Sequence, residues 1–226
     1  FSFSDRLVVL RDGKNVGSMK TSDASEKKIA RLMVGSETQK VSSKRIKPGG
    51  PILSLNEISV AGQSKRDSLH DVNLILNSNE ILGIAGISGN GQNVLADLIS
   101  GLVAPDRGSI VLKGVAIENI SPFNMIKSGF GRIPEDRHRQ GIVGGLSVSE
   151  NMIIERLDDP QIQNFGFLRS SVINKNAKTL SEKYDVRGPG IDQASRLLSG
   201  GNIQKLILAR VFEKQPEIIL ANQPTR

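Results

Sequence analysis

The stretch GIAGISGNGQNVLADLISGL, residues 83–102, sets an apolar segment, a glycine-rich loop and a helical repeat of leucines end to end. The run EILGIAGI (80–87) that enters it is continuously apolar, as expected of a strand buried on both faces of a parallel sheet. After the loop, Leu95, Leu98, Ile99 and Leu102 recur at helical spacing, with Gly101 near the stop. Gly86, Gly89 and Gly91 follow the pattern G-x-x-x-x-G-K-[ST], whose glycines let backbone N–H groups and a helix N-terminus face an anion. Gln92 and Asn93 stand where that pattern carries a lysine and then a hydroxyl. The backbone donors survive the exchange, whereas the lysine charge and the Mg2+-holding hydroxyl do not. The candidate phosphate-facing residues are therefore Gly86, Ser88, Gly89, Asn90, Gly91, Gln92, Asn93 and Val94.

Working outward, RLVVLRDGKNVGSM reads as two short strands around Asp12-Gly13, and SEKKIARLMVG as a helix capped by Ser25 and stopped by Gly35. Residues 36–50, polar, basic and ending in Pro-Gly-Gly, read as a linker. PILSLNEISV and LHDVNLILN alternate like half-buried strands, and GSIVLKGVAI reads as a further strand pair. Ser121-Pro122 opens a short helix. From Ser147 to Gly188 the pattern is mostly helical, looser around DDPQIQNFGFLRSS; a last helix follows LSGG, and PEIILANQPTR is a buried strand running into a turn. The sum is an α/β chain with a parallel sheet.

Of the 226 residues, 38% are hydrophobic and 23% charged, which suits a globular fold with a real core. No cysteine is present, so disulfides, thiolate metal sites and a cysteine nucleophile are excluded. No apolar stretch approaches the roughly 20 residues that cross a bilayer. The opening FSFSDRLVVL is unlike a secretory signal and lacks an initiator Met, so a fragment of a longer chain is expected. The net charge of +7 permits phosphate, nucleic-acid or membrane-surface partners. One Tyr, no Trp and no RNA-reading motif leave base stacking on nucleic acid without support. Glu57, Asp67 and Asp71 read as solvated carboxylates, and His70 and His138 as surface or loop histidines.

Two later stretches narrow the reading. LLSGGNIQKLILARVF carries Leu198, Ser199, Gly200 and Gly201, with Asn202 where glutamine is usual, and it resembles the LSGGQ signature of the ATP-binding cassette (ABC) family. PEIILANQPTR resembles that family's Walker B strand, with Asn222 in the Mg2+-holding aspartate position and Gln223 in the water-activating glutamate position. GRIPEDRHRQGI sets Glu135 at the position of the Q-loop, and PEDR, QPTR and GNGQ are similar to the second cassette of importers for simple sugars and nucleosides.

The resemblance implies a P-loop, RecA-like core with a parallel sheet, an antiparallel β-subdomain and a helical subdomain, truncated at the C-terminus. It implies residues 1–35 as the tail of a preceding cassette, 36–50 as a linker and 51–226 as an incomplete second cassette, its helical subdomain at about 135–200. It further implies ATP as the ligand. Mg2+ is not expected at this half-site, for which no metal-binding residue is assigned. The signature residues Leu198, Ser199, Gly200, Gly201 and Asn202 would act in trans on the partner cassette. Implied partners are a first cassette on the same polypeptide, membrane permease subunits and, indirectly, a solute-binding protein, at the cytoplasmic face of the membrane. Arg132, Arg137 and Arg139 would steer phosphate or membrane partners, or form an exposed basic turn. Two alternatives stay open: a regulatory or scaffold cassette without nucleotide, and a soluble two-cassette protein of translation or DNA repair.

Overall fold

The computed structural model describes residues 4–11, 13–35, 46–87 and 89–224, and the chain divides into two units, Phe1–Lys47 and Pro48–Arg226. In the first, β1 (Arg6–Arg11) and β2 (Lys14–Lys20) pair antiparallel across a turn containing Gly13, at φ 73°. Asp12 lies outside the described residues, as does most of the expected linker, 36–45. Helix α1 (Glu26–Val34) begins where the Ser25 hydroxyl accepts the Lys28 N–H at 3.3 Å and ends at Gly35 in the left-handed region.

The second unit opens with β3 (Pro51–Val60) and β4 (Leu69–Asn77), followed by α2 (Gln92–Ile99), β5 (Arg107–Leu112) and β6 (Val115–Ala116). The four strands form an antiparallel sheet in the order β4-β3-β5-β6. Alternation sends Leu53 and Leu55 of β3 inward, where they pack with Ile110 of β5 and with Leu95, Leu98 and Ile99 of α2. Gly108 lets β5 cross β3 closely, since a Cβ there would lie 2.4 Å from the Asn56 carbonyl oxygen. Leu102 departs from the expected helix: α2 stops at Ile99, the chain turns through Gly101 at φ 76°, and Leu102 is half exposed.

The run 80–87 departs from the expected strand. It is not a strand; Ile81 is 98% exposed and Ile87 80% exposed. A strand needs a ladder partner as well as an apolar sequence, and none of the described strands pairs with this segment. The parallel pairing occurs elsewhere. After α3 (Pro122–Lys127), capped by the Ser121 hydroxyl, β7 (Phe130–Ile133) pairs in parallel with the distant β10 (Ile218–Ala221). In β10 only Ile218 is fully buried, so this strand is less enclosed than its apolar sequence suggests.

Between β7 and β10 lie α4 (Val148–Ile153), the two-residue strands β8 (Gln163–Asn164) and β9 (Phe167–Leu168), α5 (Ser170–Lys183) and α6 (Gly200–Glu213). The loose stretch of the sequence is thus a small hairpin, turned by Phe165 at φ 49° and Gly166 at φ 83°. A capping box starts α4: the Ser147 hydroxyl accepts the Glu150 N–H and the Glu150 carboxylate accepts the Ser147 N–H at 2.7 Å. Met152, Leu180, Ile203, Leu206, Ile207 and Val211 form one helical core. No helix among the described residues is long and apolar enough to cross a membrane.

One charge is buried in that core. Arg210 donates to the Gly141 carbonyl at 2.8 Å and to the Asn151 carbonyl at 3.4 Å, and its Nε stands 3.0 Å from Glu155 Oε1, an ion pair off the hydrogen-bond axis. Burial pushes the guanidinium pKa down and Glu155 opposes that shift. Removing Arg210 takes the donor from two carbonyls and leaves Glu155 with Lys214 alone, its Nζ 3.6 Å away. Arg210→Ala is expected to cost about 3–5 kcal/mol in urea unfolding, whereas Arg210→Met combined with Glu155→Leu loses far less.

Candidate functional site

The glycine loop closes on itself. Gly89 and Gly91 both hold φ 86°, a conformation that favours glycine, and Gly91 is the N-cap of α2. The Gln92 side chain turns back over the loop: its Oε1 accepts the Asn90 N–H at 3.1 Å and its Nε2 donates to the Ile87 carbonyl at 2.9 Å. A Cβ on Gly86 would meet that same Nε2 at 2.1 Å, so the first glycine makes the room the carboxamide occupies. An N–H that would otherwise face an anion is thereby satisfied from within the chain. Ser88 lies outside the described residues.

At the next residue, Asn222 Nδ2 donates to Asn93 Oδ1 at 3.4 Å. Asn222 is held there because its N–H extends the β7–β10 ladder to the Ile133 carbonyl at 2.9 Å. The contact ties the first turn of α2 to the end of β10 through two neutral amides. Gln223 follows, exposed and at a left-handed φ of 46°.

Beside this contact is an open cavity of about 720 Å³. Asn93, Val94, Glu135 and Asn222, all expected from the sequence, line it. So do Gln63, Asp67, Asp97, Arg132, Asp136, Arg137, His138 and Gln140, of which the sequence points only the two arginines toward phosphate. Asp97 was the most accessible to sequence reasoning, lying one helical turn beyond Asn93 on the same face. Asp67 comes from an irregular loop whose path no periodicity reveals; its carboxylate accepts from the Ser64 hydroxyl at 2.8 Å and stands near Gly89. Arg132 donates to Asp97 at 2.9 Å, which neutralises that pair. The Asp136 carboxylate accepts the Arg139 N–H at 3.0 Å and the His138 N–H at 3.1 Å, and these bonds, the Arg139 one foremost, hold its pKa below the usual carboxylate range.

These residues do not fit a Mg2+-bound polyphosphate. Mg2+ requires near-octahedral oxygen ligands at about 2.0–2.1 Å, whereas Asn93 Oδ1 is engaged by Asn222 and neither residue carries charge. The remaining carboxylates of the cavity would repel a phosphate that arrived without a cation.

The signature segment has the opposite character. Ser199 caps α6 with a backbone φ of −65° and ψ of 155°, and its hydroxyl accepts from Asn202 Nδ2 at 2.9 Å. Leu198 is buried beneath the turn, while Ser199 and Gly201 are exposed. Nothing lies within 4 Å of where a Gly201 Cβ would be. The first N–H groups of a helix have no intrahelical acceptor. Leu198, Ser199, Gly200, Gly201 and Asn202 do not line the cavity, so the two candidate surfaces of the cassette are distinct.

A metal titration tests the cavity. With Asn93→Asp and Asn222→Asp together, Mg2+ should stabilise the chain by about 2.7 kcal/mol at a hundred times its dissociation constant. The parent chain should show no Mg2+-dependent shift in melting temperature.

The ABC transporter family model matches residues 69–226. The chain is 40% identical over 225 residues to the glucose import ATP-binding protein TsgD13 of Haloferax volcanii, covering 98% of this chain and 41% of that protein. It is 36% identical over 223 residues to the guanosine import ATP-binding protein NupO of Bacillus subtilis, covering 98% of this chain and 44% of that one. The chain thus spans less than half the length of these curated relatives. Among solved structures, a dimeric bacterial ABC transporter cassette superposes with a TM-score of 0.61 over 77% of this chain and 75% of its own, at 20% identity. A cassette dimer bound to ADP and Pi superposes with a TM-score of 0.59 over 77% and 75% of the two chains, at 22% identity. The family model covers more than half of the chain, and the superpositions agree on the fold: the chain belongs to the ABC transporter family and carries its ATP-binding cassette fold.

Proposed function

We propose that the chain is the second cassette of a two-cassette ATP-binding subunit that energises import of a sugar or nucleoside. In this reading residues 1–35 end a first cassette, 36–50 link the two and 51–226 belong to the second, its helical part covering about 135–200. The observation that carries the reading is the contrast between the two surfaces. The cassette's own cradle is bonded to itself through Gln92 and through Asn93 with Asn222, whereas Ser199 and Gly201 are exposed. Its own half-site is therefore non-hydrolytic. Its signature turn completes the ATP site of the first cassette, where backbone N–H groups at a helix N-terminus face phosphate.

Closure of two cassettes head to tail would bring the exposed signature turn against the partner's nucleotide. Permease subunits would dock at the segment containing Glu135 and α4, at the cytoplasmic face of the membrane, and a solute-binding protein would act through them. The glucose and guanosine named for the two relatives support a small polar solute as cargo.

In the full two-cassette transporter, Ser199→Phe should abolish ATP hydrolysis by filling the signature turn. Wild-type ATPase and uptake in that variant would overturn the reading. Calorimetric titration of ATP into the isolated chain should give little heat and no dependence on Mg2+; micromolar, Mg2+-strengthened binding would mean that Gln92, Asn93 and Asn222 keep a working pocket.

A further inference from the structure

The turn that follows β7 is fastened along one face of α6, beginning at the signature end. A Cβ on Gly200 would lie 3.4 Å from Arg137 Nε and 3.5 Å from its Cζ, so the guanidinium covers the first residue of the helix. One turn on, Arg137 donates to Gln204 Oε1 at 3.0 Å. A further turn down, Gly141 is pressed against Ile207, since a Cβ there would meet Ile207 Cδ1 at 2.3 Å, and Arg210 donates to the Gly141 carbonyl. Residues 200, 204, 207 and 210 share one helical face.

Gln204 faces two ways. While its oxygen accepts from Arg137, its Nε2 donates to the Pro224 carbonyl, two residues beyond Asn222. Arg137 itself lines the cavity with Glu135 and Asn222. One short chain of contacts thus runs from the cavity wall, through a guanidinium and a carboxamide, to the first turn of α6. Both members have a fixed orientation: the amide because one end accepts and the other donates, the guanidinium because it must serve Gln204 while lying over Gly200.

We infer that Arg137 and Gln204 are a positioning pair that sets the pose of the signature turn according to the arrangement of the cassette's own cavity. The inference rests on the reading that this turn serves a partner's ATP site. Neither side chain touches ATP. They hold Ser199 and Gly200 where the partner's phosphate meets them, and movement of the Glu135–Gly141 turn or of the Asn222–Pro224 segment reaches the signature through them. The cavity thereby keeps a role without hydrolysing anything: its geometry is read by the arginine on its wall.

The test uses the full two-cassette transporter with its permease, carrying Arg137→Ala, Gln204→Ala, both together, or Ser199→Phe. Each alanine variant should lower kcat for ATP hydrolysis about tenfold while leaving KM nearly unchanged, because the contact is needed only when the cassettes have closed. The double variant should lose no more than the worse single one, as expected of two groups acting as a unit. Melting temperatures should stay near that of the parent. Unchanged kcat, additive losses, or a fall in kcat that merely follows melting temperature would overturn the inference. If Ser199→Phe is inactive while Arg137→Ala and Gln204→Ala run at the parent rate, the positioning pair alone is wrong. If Ser199→Phe hydrolyses normally, the reading of the signature itself has failed.

Discussion

The buried face of α6 is the constraint on which the helical half of this cassette depends. Ile203, Leu206 and Ile207 are almost fully enclosed, and the same helix carries Arg210 into the interior. A charge in that position is tolerated only when its donors find acceptors and a counter-ion. The Gly141 and Asn151 carbonyls and the Glu155 carboxylate meet that demand, and in doing so they bind two segments, the turn at Gly141 and the helical stretch 148–156, to one helix. The turn carrying Glu135, Asp136 and Arg137 is held at its far end by this arrangement. The signature at the head of α6 and the cavity wall therefore share a single support.

The described contacts of Gln92, Asn93 and Asn222 at the glycine loop are neutral hydrogen bonds. Lysine, hydroxyl and carboxylate at a nucleotide site are kept apart by a ligand and a metal that they bind in common. Gln92, Asn93 and Asn222 need neither, because amides both donate and accept and can satisfy one another. The backbone of the loop keeps its glycines, since their absent side chains now accommodate Gln92 against Gly86 and the tight approach of Gly91 to Leu69. Packing alone therefore gives Gly86 and Gly91 a reason to be glycine.

Much of this was legible in the residues. The strands 51–60 and 69–77, the Ser25 and Ser121 caps and the buried face of α6 follow from alternation, capping chemistry and helical spacing, which are local signals. The neutral amides at positions 92, 93 and 222 were equally readable, because residue type alone carries them. What escaped depends on partners distant in the chain. Whether 80–87 becomes a strand is decided by a neighbour to pair with, and apolar composition contains no information about that neighbour. The place of Asp67 beside the glycine loop depends on the irregular path of 61–68 between two strands. That Gln92 folds onto its own loop is a rotamer choice, which no spacing predicts.

The apolar run 81–87 also bears on how the chain behaves in solution. Isoleucines at 81, 84 and 87 stand in water at more than half their full exposure. Adjacent exposed apolar side chains gain from any surface that removes them from water. Two copies of the chain meeting along this segment would satisfy that gain as readily as an internal neighbour would. These seven residues, none of them in a described hydrophobic cluster, therefore bear on the concentration at which the protein stays monodisperse.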